Sequence, residues 1–274
     1  MARSGRLATL AAIGREIVVA SRRDRVGGEA ARVAYYSFLS LFPFLLVLFS
    51  VTGLIGGADA FRSIMSQVAT ALPGQAYQVV EDFVAELTRS RRPGVLSLSV
   101  ALTFLLASNV FAALFDGLNM AYCVKRRRRW WKKRVMSVIF LMAALAALLG
   151  SAIALLAGPE IGRLIGFEGL ASWLRWPLIY LVALGMLWLV YYFLPNHDQS
   201  RAKRRILVGA VVGTTLWAVV SVLFRVWVRL LSEYTPFGFV WGGMLLLVWL
   251  YLTALSILIG GQVAAALERR AVGL

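Results

Sequence analysis

Six long stretches of this 274-residue chain contain no charged residue, and they limit the folds open to it more than any other feature. A hydrocarbon core of about 30 Å is crossed by a helix of about 20 apolar residues. Because lipid offers no hydrogen-bond partner to the backbone, each stretch must be helical, and the alternation typical of barrel strands is absent. We predict an all-α polytopic membrane helix bundle with about six transmembrane helices. The stretches are 33–57, 94–115, 135–159, 176–195, 206–224 and one within 234–267.

The overall composition agrees with a membrane protein. Apolar residues make up 60% of the chain and charged residues 15%, whereas a soluble domain has roughly 45–50% and about 25%. The single cysteine, Cys123, excludes an internal disulfide framework and a cysteine-rich metal site. We expect no metal and no cofactor.

The spans divide the chain into three regions. Residues 1–32 form an N-terminal cytoplasmic or interfacial segment, residues 33–267 a six-span membrane domain, and residues 268–274 a cytoplasmic tail. Helical spacing from Leu7 to Val18, with arginines around it, predicts a helix lying on the membrane surface and not a cleavable signal. The first outer loop, residues 58–92, has two amphipathic patterns that predict helices packed outside the bundle.

The distribution of positive charge predicts the orientation. With the N-terminus inside, 21 Lys and Arg face the cytoplasm and 8 face outward, as the positive-inside rule requires. Residues 1–32, 125–134, 196–205 and 268–274 are then cytoplasmic, and so are both termini. The run KRRRRWWKKR at 125–134 becomes an inner loop with two interfacial tryptophans.

Membrane lipids are the partners that this charge predicts. A basic cluster beside a span is attracted to anionic headgroups at the cytoplasmic face, so we expect no nucleic-acid partner. The candidate headgroup contacts in the inner loop are Arg126, Arg127, Arg128 and Arg129. At the outer end of the fifth span, Arg225 and Arg229 either snorkel or hold an anionic headgroup. A homo-oligomer or an envelope partner protein is also possible.

Polar side chains inside the spans mark a candidate substrate path, because they are costly in hydrocarbon. Asn109, Asp116 and Asn119 share one face of the second span. Two interpretations stay open: a structural ion pair or helix contact, and the lining of a cavity shared with the first span. The first-span candidates are Tyr36, Ser37, Ser40 and Pro43, where the proline predicts a kink that serves packing or acts as a hinge.

Two glycine pairs have the spacing that lets helices approach closely, Gly53 with Gly57 and Gly209 with Gly213. Packing within the bundle and dimerisation are both compatible with this spacing. Catalytic motifs are missing from the sequence. Its one histidine, His197, has only Asp198 beside it, whereas nuclease chemistry needs paired histidines or a metal-binding cluster. We predict that the chain is not an enzyme.

Five segments, in their order and spacing, resemble the YihY/BrkB family of bacterial inner-membrane proteins. They are AYYSFLSLFPFLLVLFS, SNVFAALFDGLNMAY, YYFLPN, GAVVGTTLWAVVSVLF and VWLYLTALSILIGGQVAAALE. The resemblance implies six spans in the inner membrane and no settled activity; some members carry a serum-resistance label or an old ribonuclease name, and others are suspected of moving lipids or envelope components. The family often has an acidic residue after the glycine pair of the last span, where this chain has Gln262. A mechanism that needs that carboxylate is in doubt here, and Gln262 is a further candidate for the path.

These features support two functions of different class. One is a transporter or flippase-like protein for a lipid or envelope component, and the other is a non-catalytic membrane scaffold. An intramembrane enzyme or ribonuclease is the less favoured third. Polar residues that converge on one cavity favour transport, and polar residues used in helix contacts favour a scaffold.

Overall fold

The computed structural model describes residues 14–55, 93–124, 129–164, 168–195, 203–231 and 238–272. These residues form seven helices and no strand, which confirms the prediction of an all-helical bundle. The helices are α1 (residues 14–23), α2 (Val26–Ile55), α3 (Pro93–Ala121), α4 (Trp130–Leu164), α5 (Glu168–Phe193), α6 (Lys203–Leu231) and α7 (Gly238–Val272).

Each helix from α2 to α7 overlaps one of the six charge-free stretches. Among the described residues, three helical segments are long and apolar enough to cross a membrane: Val100–Ala121, Lys203–Val228 and Gly242–Ala271. Pro177–Phe193 is a shorter apolar helix. Less than a third of each membrane-length segment is buried inside the protein, so most of its apolar surface faces outward, as lipid contact requires.

Several predicted features lie wholly or partly outside the described residues. These are the amphipathic loop 58–92, the first half of the Leu7–Val18 helix, and the start of the basic run at 125–128. Residues 14–23 of the N-terminal segment are helical. Helix α2 continues through Pro43, whose function as a hinge stays a prediction.

Helix α3 ends in a Schellman motif that turns the chain back toward α4. The Cys123 N–H donates to the Met120 carbonyl, and the Val124 N–H donates to the Asn119 carbonyl, both at 3.0 Å. Cys123 has a φ of 53°, the left-handed conformation that this motif needs at its C′ residue. The short connection keeps α3 and α4 antiparallel neighbours.

The described hydrophobic core lies where α2 begins, α3 and α5 end, and α6 begins, with α7 running through it. Its fully buried side chains include Leu118, Tyr191, Leu194 and Ile206. Beside this core, at one end of the bundle, charged side chains of segments that are far apart in sequence contact each other. Arg270 in α7 pairs with Glu16 in α1 at 2.8 Å, so the two terminal helices lie together. We call the end of the bundle where Arg270 and Glu16 meet the basic end.

Glycines let α5, α6 and α7 meet at close range. The Tyr191 hydroxyl of α5 donates to the Ile257 carbonyl of α7 at 2.5 Å and lies beside Gly213 and Gly260. A Cβ at Gly209 would come within 2.5 Å of the Ala264 Cβ. The pair Gly209 and Gly213 therefore packs within the bundle, which was one of the two interpretations of its spacing.

Candidate functional site

Asp116 is the centre of a charged cluster that joins three helices near the basic end. It lies five residues before the end of α3. Its Oδ2 accepts from Nη2 of Arg32 in α2, and its Oδ1 accepts from Nζ of Lys133 in α4, both at 2.6 Å. Glu29 pairs with Arg32 from one turn earlier, at 3.1 Å. The Asp116 side chain is 36% exposed and Lys133 is 24% exposed, so this ion-pair cluster is only half-buried.

Arg134 is the next residue after Lys133, but its side chain contacts α3 at a different level along the helix. Its Nη1 donates to the Asn109 Oδ1 at 2.5 Å, and its Nη2 donates to the Leu105 carbonyl at 3.3 Å. Asn109 lies seven residues, or about 10 Å, farther from the basic end of α3 than Asp116 does. The guanidinium therefore points along α3 toward the middle of the membrane-length segment Val100–Ala121, away from the helix end where an arginine would snorkel.

The acceptors of Arg134 are both neutral, an amide and a carbonyl. Within the described part of the chain, no carboxylate pairs with this guanidinium. The contact lies at the outer edge of the seam between α3 and α4, since the Leu105 side chain is exposed. The positive charge of Arg134 therefore lies at the exposed side of the seam, with no counter-ion among the described residues.

The two serine hydroxyls among the first-span candidates do not bond to Asp116 or Asn109. The Ser37 hydroxyl donates to the Val33 carbonyl, and the Ser40 hydroxyl donates to the Ser37 carbonyl, both within α2 at 2.8 Å. Tyr36 packs against the hydrophobic core, and Pro43 is buried. Helix α2 contributes to the Asp116 cluster through Arg32 instead.

Asn119, the third candidate on this face of α3, is half-buried. Its carbonyl also takes part in the Schellman motif that ends the helix. Asn119 is thus tied to the turn between α3 and α4, one turn closer to the basic end than Asp116.

Gln262 belongs to a second polar cluster, where α7 meets the turn between α1 and α2. The side chain is 1% exposed, and its Nε2 donates to the Asp24 Oδ2 at 2.8 Å. Asp24 also accepts from the Arg23 Nε at 3.0 Å; this hydrogen bond and the charge of Asp24 raise the pKa of Arg23. The Oε1 of Gln262 is buried and has no hydrogen-bond partner among the described residues.

The candidate headgroup arginines are distributed over both ends of the chain's membrane region. Arg129 is exposed just before α4. Arg225 is exposed on α6, and Arg229 lies one turn further along the same helix, with its side chain outside the described set. Arg126, Arg127 and Arg128 lie outside the described residues. Trp130 and Trp131, which begin α4, are exposed, as interfacial tryptophans are.

Sequence reasoning overlooked three cations that the structure brings to the polar face of α3: Arg32, Lys133 and Arg134. A signal for two of them was present. Helices joined by a short connection are antiparallel, so residues at similar distances from the connection are neighbours. Lys133 and Arg134 lie within two turns of the connection, as Asp116 does, and a long cationic side chain covers the remaining gap.

Membrane-length apolar helices with exposed apolar faces and charges gathered at one end define a polytopic α-helical membrane protein. More particularly, the chain belongs to the virulence factor BrkB family, whose sequence profile matches residues 17–273. The family resemblance of the sequence is thereby confirmed.

Relatives of the chain carry two kinds of name. It is 31% identical to the putative ribonuclease-like protein YfkH of Bacillus subtilis (strain 168), over 88% of this chain and 90% of the relative. It is 24% identical to the UPF0761 membrane protein VV0203 of Vibrio vulnificus (strain YJ016), over 93% and 82%. It is 26% identical to a UPF0761 membrane protein of Tolumonas auensis, over 89% and 81%. No solved structure matches the chain.

Proposed function

We propose that this protein is a multi-pass protein of the bacterial inner membrane that moves a lipid or envelope component with an anionic headgroup, and that both of its termini are cytoplasmic. The observation that carries the proposal is the inward-pointing Arg134. A charged side chain in the hydrocarbon region costs at least about 2.5–3.5 kcal/mol. Neutral acceptors such as Asn109 hydrogen-bond the guanidinium but leave its charge uncompensated.

A headgroup phosphate would supply the missing counter-ion. Guanidinium groups bind phosphate through paired N–H donors, and the exposed Leu105 beside this guanidinium is a surface that a lipid can reach. Cations stand at two depths on this seam, since Lys133 contacts Asp116 and Arg134 contacts Asn109 about 10 Å further in. Such a series offers a headgroup successive binding positions on its way into the membrane.

A scaffold is the alternative function, and one specific observation favours it. Both carboxylate oxygens of Asp116 are bound by side chains of neighbouring helices. An aspartate held in this way locks α2, α3 and α4 together. If holding these helices together is the only function of Asp116, the bundle presents fixed apolar faces to partner proteins and does not transport a lipid.

We do not propose nuclease activity, although a relative is named ribonuclease-like. Within the described residues no group of three His, Cys, Asp or Glu side chains is placed to hold a metal ion. The chain contains one histidine, His197, so two-histidine acid–base chemistry is not available to it. Cleavage of tRNA by the purified protein that required His197 would overturn this position.

Lipid movement can be measured with the full-length chain in liposomes of phosphatidylethanolamine and phosphatidylglycerol. A trace of fluorescent phosphatidylglycerol in the inner leaflet is lost to an external quencher only when it crosses. Arg134→Gln should slow this loss about ten-fold or more, because it removes a charge-assisted contact. Lys132→Gln is the matched control, since it removes one charge from the same basic run but leaves the seam intact: Lys132 is exposed and lies over the Trp131 ring.

Wild-type protein that moves the probe no faster than empty liposomes would refute transport of this lipid class. Equal rates for wild type and Arg134→Gln would refute the function of Arg134 in it.

A further inference from the structure

A second feature of the bundle surface lies between α5 and α6. It is an open groove of about 470 Å³, within the roughly 300–1,000 Å³ typical of ligand-binding clefts. Its lining consists of apolar side chains, one glycine and two cations that stand where α6 begins. The lining residues are Leu181, Leu184, Gly185, Trp188, Leu207, Lys203 and Arg204.

The groove runs along the helices and not across them. From Leu181 to Trp188 the lining extends seven residues along α5, or about 10 Å. This is about two thirds of the hydrocarbon half-thickness of a bilayer. Gly185 makes room in the middle, because a Cβ there would meet no atom within 4 Å.

The two cations are available for a ligand. Lys203 and Arg204 are exposed at the start of α6, and among the described residues neither has an ion-pair partner. They are the first two residues of α6, so they lie at one end of the apolar lining. An acyl chain in the groove would therefore place its headgroup beside two positive charges.

We propose that this groove holds one phospholipid with an anionic headgroup, whose phosphate is bound by Lys203 and Arg204 and whose acyl chain lies on Leu181, Gly185 and Leu207. Charge complementarity selects the occupant: a purely apolar partner would leave the cations unused, and a soluble anion would leave the apolar lining exposed. The site is separate from the α3–α4 seam, and it exists whether or not the protein moves lipids.

Native mass spectrometry of the delipidated full-length protein, with phosphatidylglycerol or phosphatidylcholine added in detergent, tests the site. Wild type should retain one phosphatidylglycerol molecule in preference to phosphatidylcholine. The double variant Lys203→Gln/Arg204→Gln should weaken this binding about thirty-fold, as expected for two headgroup contacts. Arg22→Gln, which removes an exposed charge from α1, should have no such effect.

The groove itself is tested without changing any charge. Gly185→Leu should abolish retention of this lipid by filling the open space, and it should not harm folding, since leucine is the better helix former. Gly242→Leu is the matched control, because a Cβ at Gly242 also meets no atom within 4 Å but lies on α7.

Each alternative result overturns part or all of the proposal. Equal retention of both lipids, or retention unaffected by the double variant, would show that the groove does not select an anionic headgroup. Loss of binding in the double variant but not in Gly185→Leu would show general surface attraction instead of a groove. Full competition by inorganic phosphate would show a free-anion site.

Discussion

At the scale of single residues, Asp116 does the most to organise the helices around the candidate site. Its two oxygens bind cations from α2 and α4, and Glu29 supplies the second negative charge of the cluster through its pair with Arg32. Removing one partner of a half-buried ion pair costs more than the roughly 0–1 kcal/mol of an exposed pair, because the remaining charge is left partly desolvated and unpaired. A substitution of Asp116 therefore tests whether this ion-pair cluster holds the three helices together.

Replacing Asp116 with asparagine should destabilise the bundle by about 1–3 kcal/mol, because Lys133 loses its ion-pair partner and Arg32 keeps only Glu29. Thermal unfolding in detergent would show this as a lower midpoint. A double-mutant cycle with Lys133→Met should give a coupling energy of about 0.5–3 kcal/mol. The same cycle with the neighbouring Lys132→Met should give none, because Lys132 lies over the Trp131 ring instead.

If Asp116→Asn loses lipid movement but keeps its unfolding midpoint, Asp116 does not stabilise the contact between α2, α3 and α4. It would then act in the transport path alone.

At the scale of helices, the tightest packing is between α6 and α7. The absence of a side chain at Gly209 and Gly260 lets the two backbones approach, and Tyr191 of α5 fills the adjoining space. Small residues at such crossings are the usual means of helix association in lipid, where the hydrophobic effect does not drive it.

Gly209→Ala should lower the stability of the bundle by about 1–3 kcal/mol through overpacking. The added methyl would meet the Gly260 carbonyl oxygen at 2.7 Å and the Ala264 Cβ at 2.5 Å, and backbone atoms cannot rotate away. Gly185→Ala is the control on α5, where the methyl meets open space and should be neutral or mildly stabilising. Equal unfolding midpoints for the two variants would contradict the packing; a changed oligomeric state in Gly209→Ala would instead support dimerisation.

At the scale of the whole molecule, segments that are far apart in sequence meet at one end. Arg270 pairs with Glu16, and Arg269 donates to the Ala121 carbonyl at 2.5 Å. Arg23 donates to the Cys123 sulfur at 3.5 Å. The N-terminal segment, the α3–α4 connection and the C-terminal helix are thus on the same side, which is the arrangement that the charge count of the loops predicts for the cytoplasmic side.

The native Cys123 provides a direct test of orientation, because it is exposed at the basic end. In intact cells it should resist a membrane-impermeant maleimide and react after permeabilisation. In a Cys123→Ala background, a cysteine at position 66, in the outer loop outside the described residues, should react in intact cells, and one at position 200 should not. The opposite labelling would reverse the proposed topology.

The positions of the six long helices followed from the sequence alone, because a bilayer demands about 20 uncharged residues per span and full backbone hydrogen bonding. The polar face of α3 was readable for the same reason, since Asn109, Asp116 and Asn119 repeat with the helical period. The tertiary structure decided what these residues contact. Arg32 is 84 residues from Asp116 in sequence, and the inward direction of Arg134 depends on how α3 and α4 are rotated against each other. The sequence contains no signal for that rotation, because it results from side-chain packing along the whole helix pair.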